Sequence, residues 1–392
     1  MFSSRPSIIP SILLHKVCSK LCNGWHCANR PSTSHSLGSL GLNRSFFAAA
    51  LKMAEQDPKR TKQVVTLDAA KVAAPFREEI RAKCKELEEK RGIRPLLVGL
   101  LANGDVAAKK YAEWTARACN ADGIAFELRE CEPNDLEDKL REANQDPNVH
   151  GIMIYWPCFG ARPSFYGGSM DDYLRDSVAV EKDVEGLCVT YRRNLYQNLR
   201  TLPFLDGKPS DIKCLLPCTP LAIVKILEHM HVYDPCLPYG DRLKGKTVTV
   251  VNRSEIVGRP LAAMLANDGA TVYSVDIDSV YLMRRGHMVS PGPDFQSVEP
   301  CVRQSDVVVL GVPSKNYKLD TSLLKPGVIV INVSHFKNVD EAALAEVENA
   351  TYVPLVGQVT VAMLERNLLR LVDSFAGKNL KVIEAGGRVV KL

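Results

Sequence analysis

Three short stretches carry residue types and spacings that could do chemistry. The first is Asn252-Arg253-Ser254-Glu255-Ile256-Val257-Gly258-Arg259-Pro260, set between an apolar strand-like run and a helix-like one. That is where a phosphate-binding turn sits, and such turns use several glycines so that backbone can approach a pyrophosphate. Only Gly258 is available here, so the GxGxxG pattern itself is not met. Asp276 strengthens the reading, because it ends the next strand-like run, 18 residues beyond Gly258. A carboxylate there accepts hydrogen bonds from both adenosine ribose hydroxyls and repels a 2′-phosphate, which selects NAD over NADP. Asp278 is a second candidate for the role, and an acid that simply ends a strand is the alternative.

The second stretch is Tyr111 and Thr115, four residues apart. On a helix they share a face and point at one cleft, or they belong to a surface helix with one half-buried tyrosine. The third is Lys182-Asp183-Val184-Glu185-Gly186. In extended or turn backbone its two acids face the same way and could grip an amino-pyrimidine edge; a solvated charge run is the competing reading. His229, His231, His287 and His335 have no sequence partner, and no His–Cys spacing suits a metal.

The elements around these residues alternate helix and strand. Leu67–Arg91 has helical spacing, followed by a strand over 95–102, a helix over Ala107–Asp122, a strand over 124–130, a helix over 135–146 capped by Asn134 or Asp135, and a strand over 151–156. Connections this short demand a parallel sheet with helices on its faces. Residues 160–213 lose their period and read as a long excursion around a site. The pattern resumes at LPCTPLAIVKILEHMH, where Thr219 can N-cap a helix with Pro220 in its first turn. Residues 243–278 then read as strand, turn, helix and strand; 305–314 and 327–334 supply two more strands, and 279–304 reads as a loop insert. Residues 360–375 form an amphipathic closing helix. The fold class is α/β in two domains. They are a substrate domain over 61–218, to which 360–376 returns, and a Rossmann-like domain over 219–359, with an extension at 1–60 and a tail at 377–392.

Composition narrows the function further. The chain has 392 residues, 46% apolar and 24% charged, with a formal charge of +5. Residues 1–52 hold six cations, ten serines and no acid; removing them leaves 44 cations against 45 acids. A body that near neutrality has no general field for nucleic acid, and no run is long and apolar enough to span a membrane. The acid-free, Ser-rich start is either a mitochondrial presequence or leader text ahead of Met53, and either way lies outside the fold. The compartment is therefore expected to be the cytoplasm, or mitochondria if the presequence is real. Nine of the twelve cysteines lie beyond it, without CxxC pairs, and read as core residues in a reducing compartment.

The blocks PLLVGLLANGDVAAKKYAEW, EKDVEGL, LPCTPLAIVKIL, NRSEIVGRPLAAMLANDGATV and VPLVGQVTVAML occur in that order. Together they make the chain resemble the methylenetetrahydrofolate dehydrogenase/cyclohydrolase family from about Val64 to Val372, most of all its fungal NAD-dependent monofunctional branch. The resemblance implies one-carbon folate metabolism, a folate substrate in a cleft between the domains, NAD as cofactor, no metal, and a homodimer through the nucleotide domains. Tyr111 would be the catalytic-site tyrosine bordering the pterin, together with Thr115 and Tyr155. Asp183 and Glu185 would contact its amino groups, with Pro354, Leu355, Val356, Gly357 and Thr360 closing the site. Asn252, Arg253, Ser254, Ile256, Gly258, Asp276, Val312 and Pro313 would hold the NAD.

The departures from the family pattern bear on the reaction. Bifunctional relatives are expected to carry a lysine four residues after the tyrosine, where this chain has Thr115, and a QLPLP-like segment where it reads Tyr155-Trp156-Pro157-Cys158-Phe159. The nucleotide turn begins with Asn252 in place of glycine, and the late PGGVGPMT motif is shortened to Pro354–Thr360. Cyclohydrolase chemistry adds water to the methenyl carbon and manages protons on N5 and N10, work suited to an ammonium beside a phenol and not to a threonine. Hydride transfer needs mainly positioning. The expectation is a dehydrogenase without cyclohydrolase activity. The rivals are a bifunctional NADP enzyme, against which Thr115 and Asp276 argue, and an idle folate- or nucleotide-binding regulator.

Overall fold

In the computed structural model the described residues are 64–203, 209–377, 381–383 and 389–391, so the expected extension lies outside them. Strand β1 (Val65–Thr66) is followed by α1 (Ala69–Arg91), β2 (Leu96–Leu101), α2 (Val106–Ala121), β3 (Ala125–Glu130), α3 (Leu136–Gln145) and β4 (Gly151–Ile154). The first helix is punctuated as its sequence dictates. The Asp68 carboxylate accepts from the Ala70 N–H at its start, and Gly92 ends it in the left-handed region at φ 62°. Asp105 caps α2 in the same way. Strands β3-β2-β4 form a parallel three-stranded sheet. Val98, Leu100, Ile152 and Ile154 on one of its faces pack with Leu136 and Leu140 of α3.

The stretch after β4 is less irregular than its composition suggested. It holds α4 (Met170–Asp176), α5 (Val189–Tyr196) and the antiparallel pair β5 (Thr201–Pro203) and β6 (Pro209–Lys213), all outside the main sheets. A capping box starts α4: the Ser169 hydroxyl accepts from the Asp172 N–H while the Asp172 carboxylate accepts from the Ser169 N–H. Next comes α6 (Cys218–His229), whose N-cap is Pro217, two residues ahead of the expected Thr219 cap.

The second sheet takes its strands from β7 (Thr247–Val251), β8 (Thr271–Asp276), β9 (Ser279–Arg284), β10 (His287–Val289), β11 (Val307–Leu310), β12 (Ile329–Asn332) and β13 (Thr351–Val353). Between them lie α7 (Gly258–Asn267), α8 (Val298–Gln304) and α9 (Glu341–Leu344), and α10 (Gly357–Phe375) follows β13. The order is β1-β13-β12-β11-β7-β8-β9-β10, parallel from β1 to β8 and antiparallel across β9 and β10. Residues 279–304 are thus not a loop insert. They carry a hairpin turning at Arg285-Gly286, with Gly286 at φ 75°, and a helix. Helix α10 is buried on nearly every face and packs against α1 and α6. Beyond it, β14 (Lys381–Ile383) and β15 (Val389–Lys391) pair antiparallel. No described helix is long and apolar enough to cross a membrane.

Candidate functional site

The substrate-type residues sit where β4 ends. The loop after it is pinned from both sides. Asn103 Nδ2 donates to the carbonyls of Tyr155 (2.8 Å) and Pro157 (2.9 Å). The buried Asp171 carboxylate of α4 accepts from the N–H groups of Cys158, Phe159 and Gly160. This holds Tyr155 edge-on to Tyr111 of α2, with ring centroids 6.1 Å apart and planes at 81°. The Tyr111 ring lies 5.9 Å from that of Trp114, and Trp114 in turn faces Gly357 at the start of α10. The start of α10 therefore lies beside α2.

Thr115 is fully buried, and its hydroxyl donates to the Tyr111 carbonyl at 2.9 Å, a local back-bond within the helix. Burial pushes the Tyr111 phenol well up, helped by nearby Cys218, Tyr155 and Glu185. Burial likewise raises Tyr155, while the Thr115 hydroxyl acts against it. Thr360 is buried with its hydroxyl on the Val356 carbonyl, Val356 is buried, and Leu355 projects outward.

The Lys182–Gly186 stretch divides its charges between different tasks. Lys182 Nζ donates to the carbonyls of Ala143, Asn144 and Asp146 at 2.6–3.0 Å, closing the C-terminal end of α3. Asp183 is buried, with one oxygen on the Gly186 N–H (2.9 Å) and the other on the Cys188 N–H (2.7 Å), so it knits its own turn. Glu185 faces the tyrosines. Its Oε2 accepts from the Ile154 N–H (3.2 Å) and from Trp156 Nε1 (3.3 Å). Burial, then the charge of Asp183, push the Glu185 carboxyl up to about 7, while those hydrogen bonds and Arg175 oppose the shift. Asn367 of α10 ties this turn to the start of α6 by donating to the carbonyls of Val184 and Leu216.

The nucleotide-type residues surround a cavity of about 570 Å³ at the C-terminal ends of β7 and β8. Asn252, Asp276, Val312 and Pro313 line it, together with Ser297 and Tyr317. The Asp276 carboxylate is half-buried there and takes the Ile277 N–H at 2.9 Å. Arg253, Ser254, Ile256 and Gly258 are not among the lining residues. The Arg253 guanidinium is committed elsewhere, to the hydroxyls and carbonyls of Ser274 and Ser279, with Tyr281 stacked beneath it at 4.4 Å. It clamps β8 to β9. The Ser254 hydroxyl accepts from the N–H groups of Val257 and Gly258, capping α7. The position of this cavity, the acid at its mouth and the close glycine turn behind it suit an adenosine with an unphosphorylated ribose.

Sequence reasoning did not single out Trp156, Cys218, Ser297 or Tyr317. Cys218 reads in the sequence as one of the core cysteines, and it is fully desolvated, its thiol raised by burial and by Glu185. Trp156 is visible as a departure from an apolar motif, but its partner 29 residues away is not. Ser297 and Tyr317 lie in or beyond the stretch taken for a loop insert.

Comparison with known proteins finds matches for both halves of the chain. Residues 67–185 match the model for the tetrahydrofolate dehydrogenase/cyclohydrolase catalytic domain, and residues 217–375 match that for its NAD(P)-binding domain. The chain is 47% identical over 311 residues to a methylenetetrahydrofolate dehydrogenase [NAD(+)] of Dictyostelium discoideum, covering 79% of this chain and 94% of the relative. Over 318 residues it is 47% identical to the Saccharomyces cerevisiae protein of the same name, covering 78% and 95%. The solved NAD-dependent 5,10-methylenetetrahydrofolate dehydrogenase of S. cerevisiae superposes with a TM-score of 0.72 at 45% identity, covering 80% of this chain and 98% of that one. The two-domain α/β fold expected from the sequence is the one observed, and the chain belongs to the tetrahydrofolate dehydrogenase/cyclohydrolase family.

Proposed function

We propose that this protein oxidises 5,10-methylenetetrahydrofolate to 5,10-methenyltetrahydrofolate with NAD and leaves the product unhydrolysed. The observation that carries this reading is the cluster of Tyr111, Tyr155, Thr115 and Glu185, two raised phenols, a committed hydroxyl and one free-facing acid. NAD, when bound, supplies the acceptor for the hydride that leaves the methylene carbon. Asp276, Asn252, Val312 and Pro313 would hold it, with Gly258 allowing the turn behind them. The carboxylate of Asp276 accepts from ribose hydroxyls and would meet a 2′-phosphate with like charge.

The chain's own part is binding, orientation and exclusion of water. Glu185 takes the amino-pyrimidine edge, and the edge-to-face tyrosines border the ring. The segment Pro354–Gly357 covers it from α10. Hydride loss from a carbon flanked by nitrogens needs no proton transfer. Two neutral phenols with raised pKa values suit that task, and neither carries the positive charge that hydration calls for. The Thr115 hydroxyl is spent on the Tyr111 carbonyl, and neighbouring Lys182 is spent on α3, so neither supplies the ammonium that hydration calls for. The test is NADH formation with the folate substrate, run beside hydrolysis of the methenyl product. NADH without hydrolysis supports the proposal, and turnover in the second assay contradicts it.

A homodimer through the nucleotide-binding sheet belongs to the same reading. Its edge strand β10 presents exposed Met288 and Val289 and, among the described residues, has no strand on its outer side. Sedimentation of the full chain as a monomer at micromolar concentration would contradict this. Cytosolic residence, or the mitochondrial matrix if residues 1–52 are a presequence, is supported by nine free cysteines among the described residues; N-terminal sequencing of the cellular protein distinguishes the two.

A further inference from the structure

Glu185 is held from one side only. Both of its hydrogen bonds, from the Ile154 N–H and from Trp156 Nε1, end on Oε2. A carboxylate fixed through one oxygen keeps a defined plane, and its second oxygen stays available. The backbone donor at Ile154 comes with β4 whatever the sequence, whereas the indole donor exists only because residue 156 is tryptophan. In the QLPLP-like segment expected of bifunctional relatives, this position is leucine, which has no donor.

The indole has little freedom to leave. Asn103 grips the carbonyls on either side of it, at Tyr155 and Pro157. The Asp171 carboxylate fixes the three N–H groups that follow. The ring packs on the apolar cluster of β2, β4 and α3, and the Arg175 guanidinium stacks 5.7 Å from its centroid. Arg175 is itself buried and salt-bridged to Asp172, so the ring is backed by a fixed cation.

We propose that Trp156 is a positioning residue for substrate recognition: its indole N–H fixes the Glu185 carboxylate by one oxygen and leaves Oε1 to meet the paired donors of the pterin's amino-pyrimidine edge. The proposal rests on the folate reading above and goes beyond it by assigning the group that orients the recognising acid. The donor also favours the ionised form that such an edge requires, because a hydrogen bond to a carboxylate stabilises its charge. The other ionisable groups around Glu185 are Asp183 on its own turn, Arg175 of α4, Tyr111 of α2, Tyr155 and Cys158 of the pinned loop, and Cys218 of α6. Asp183 opposes ionisation and Arg175 favours it, whereas the phenols and thiols stay neutral where Glu185 titrates and are themselves raised by its charge. Trp156 and Ile154 supply the direct hydrogen bonds.

The experiment is a pH titration of two variants of the full chain. Trp156→Phe keeps an aromatic ring and deletes the donor. Trp156→benzothienylalanine keeps the whole indole shape and replaces only the N–H by sulfur, so it remains informative if the phenylalanine variant folds poorly. In the ligand-free protein, the ¹³C signal of the Glu185 carboxyl, assigned with Glu185→Gln, should titrate about one pH unit higher in both variants. With 5,10-methylenetetrahydrofolate and NAD, the folate KM should rise about fivefold at pH 7 and return toward the wild-type value by about pH 9, with kcat and the KM for NAD little changed. An unmoved Glu185 midpoint, or a KM raised equally at every pH, would overturn the assignment, since lost packing alone has no pH signature. If the wild-type protein makes no NADH from the folate, the functional reading fails while the ligand-free titration still decides whether Trp156 controls Glu185.

Discussion

A Cβ on Gly258 would lie 1.9 Å from the carbonyl oxygen of Asn252, so the turn between β7 and α7 closes only with glycine there. Asn252 itself sits at φ 90° and sends its side-chain amide to the Gly311 carbonyl at 2.6 Å, joining the ends of β7 and β11. Asparagine tolerates positive φ better than other residues with a Cβ, which is how it stands where relatives are expected to have glycine. The single glycine retained is the one whose replacement backbone cannot absorb.

Gly258→Ala should therefore destabilise the fold by about 2 kcal/mol or more and raise the KM for NAD well above that for folate. Thermal unfolding together with the two KM values checks this. An alanine variant with unchanged Tm and NAD KM would show that the turn adapts.

Asp183→Asn and Glu185→Gln should part company. Asparagine keeps one acceptor and turns an amide N–H₂ toward a buried backbone N–H, which costs about 1–3 kcal/mol. Its signature is a lower Tm. Glu185→Gln should leave Tm nearly unchanged and lower kcat/KM for the folate by about 10- to 100-fold, the loss of a charge-assisted contact. Equal behaviour of the two in melting and kinetics would contradict the division of labour between them.

Glu365 of α10 predicts how stability varies with pH. It is fully buried near Asp122, which is already held by Arg77 at 2.7 Å and Arg81 at 2.9 Å. Burial, then the Asp122 charge, push the Glu365 carboxyl up to about 8 from an ordinary 4.5. Between those values the unfolded chain has released this proton and the folded chain keeps it, so stability falls as pH rises from about 4.5 to about 8 and then levels. Glu365→Gln should flatten that part of the Tm–pH curve, and an unchanged slope in the variant would rule Glu365 out as its source.

Thr115→Lys should not create cyclohydrolase activity. The new side chain would enter a fully buried position with Tyr155 close by, and the resemblance implies glutamine at 155 in enzymes that hydrolyse the product. Lower Tm and no hydrolysis of the methenyl product are expected. Hydrolysis restored by this one change would mean that Tyr155 is no obstacle.

Asp276→Ser should cut kcat/KM for NAD by about tenfold or more and narrow the preference over NADP, because the acceptor pair for the ribose and the like-charge barrier disappear together. Unchanged cofactor preference would remove Asp276 from the selectivity argument.

Much of the fold was legible because its signals are local. Five- and six-residue apolar runs announced β2, β7 and β8, and the 3.6-residue period with a bordering Asp68 and Gly92 announced α1. What escaped was non-local or short. β1 has two residues, and its partner β13 stands almost 300 positions away. The β9–β10 hairpin turns on Arg-Gly, a weak turn signal beside the nearby Pro-Gly-Pro that suggested a loop. The capping box of Ser169 and Asp172 was present in the text but submerged in an irregular stretch. For the site, residue types alone do not divide the tasks. Asp183 and Glu185 look alike in sequence, and only the turn that Asp183 knits shows which acid remains free. Arg253, expected among the residues that hold the NAD, has its guanidinium occupied by Ser274 of β8 and Ser279 of β9.

The central claim meets its most direct test in one spectrophotometric comparison on the full chain, 5,10-methylenetetrahydrofolate with NAD against the same substrate with NADP. The account predicts rapid NADH formation and a much lower kcat/KM for NADP, with that gap shrinking in Asp276→Ser. Preferential use of NADP, or binding of both ligands without any reduction of NAD, would contradict it.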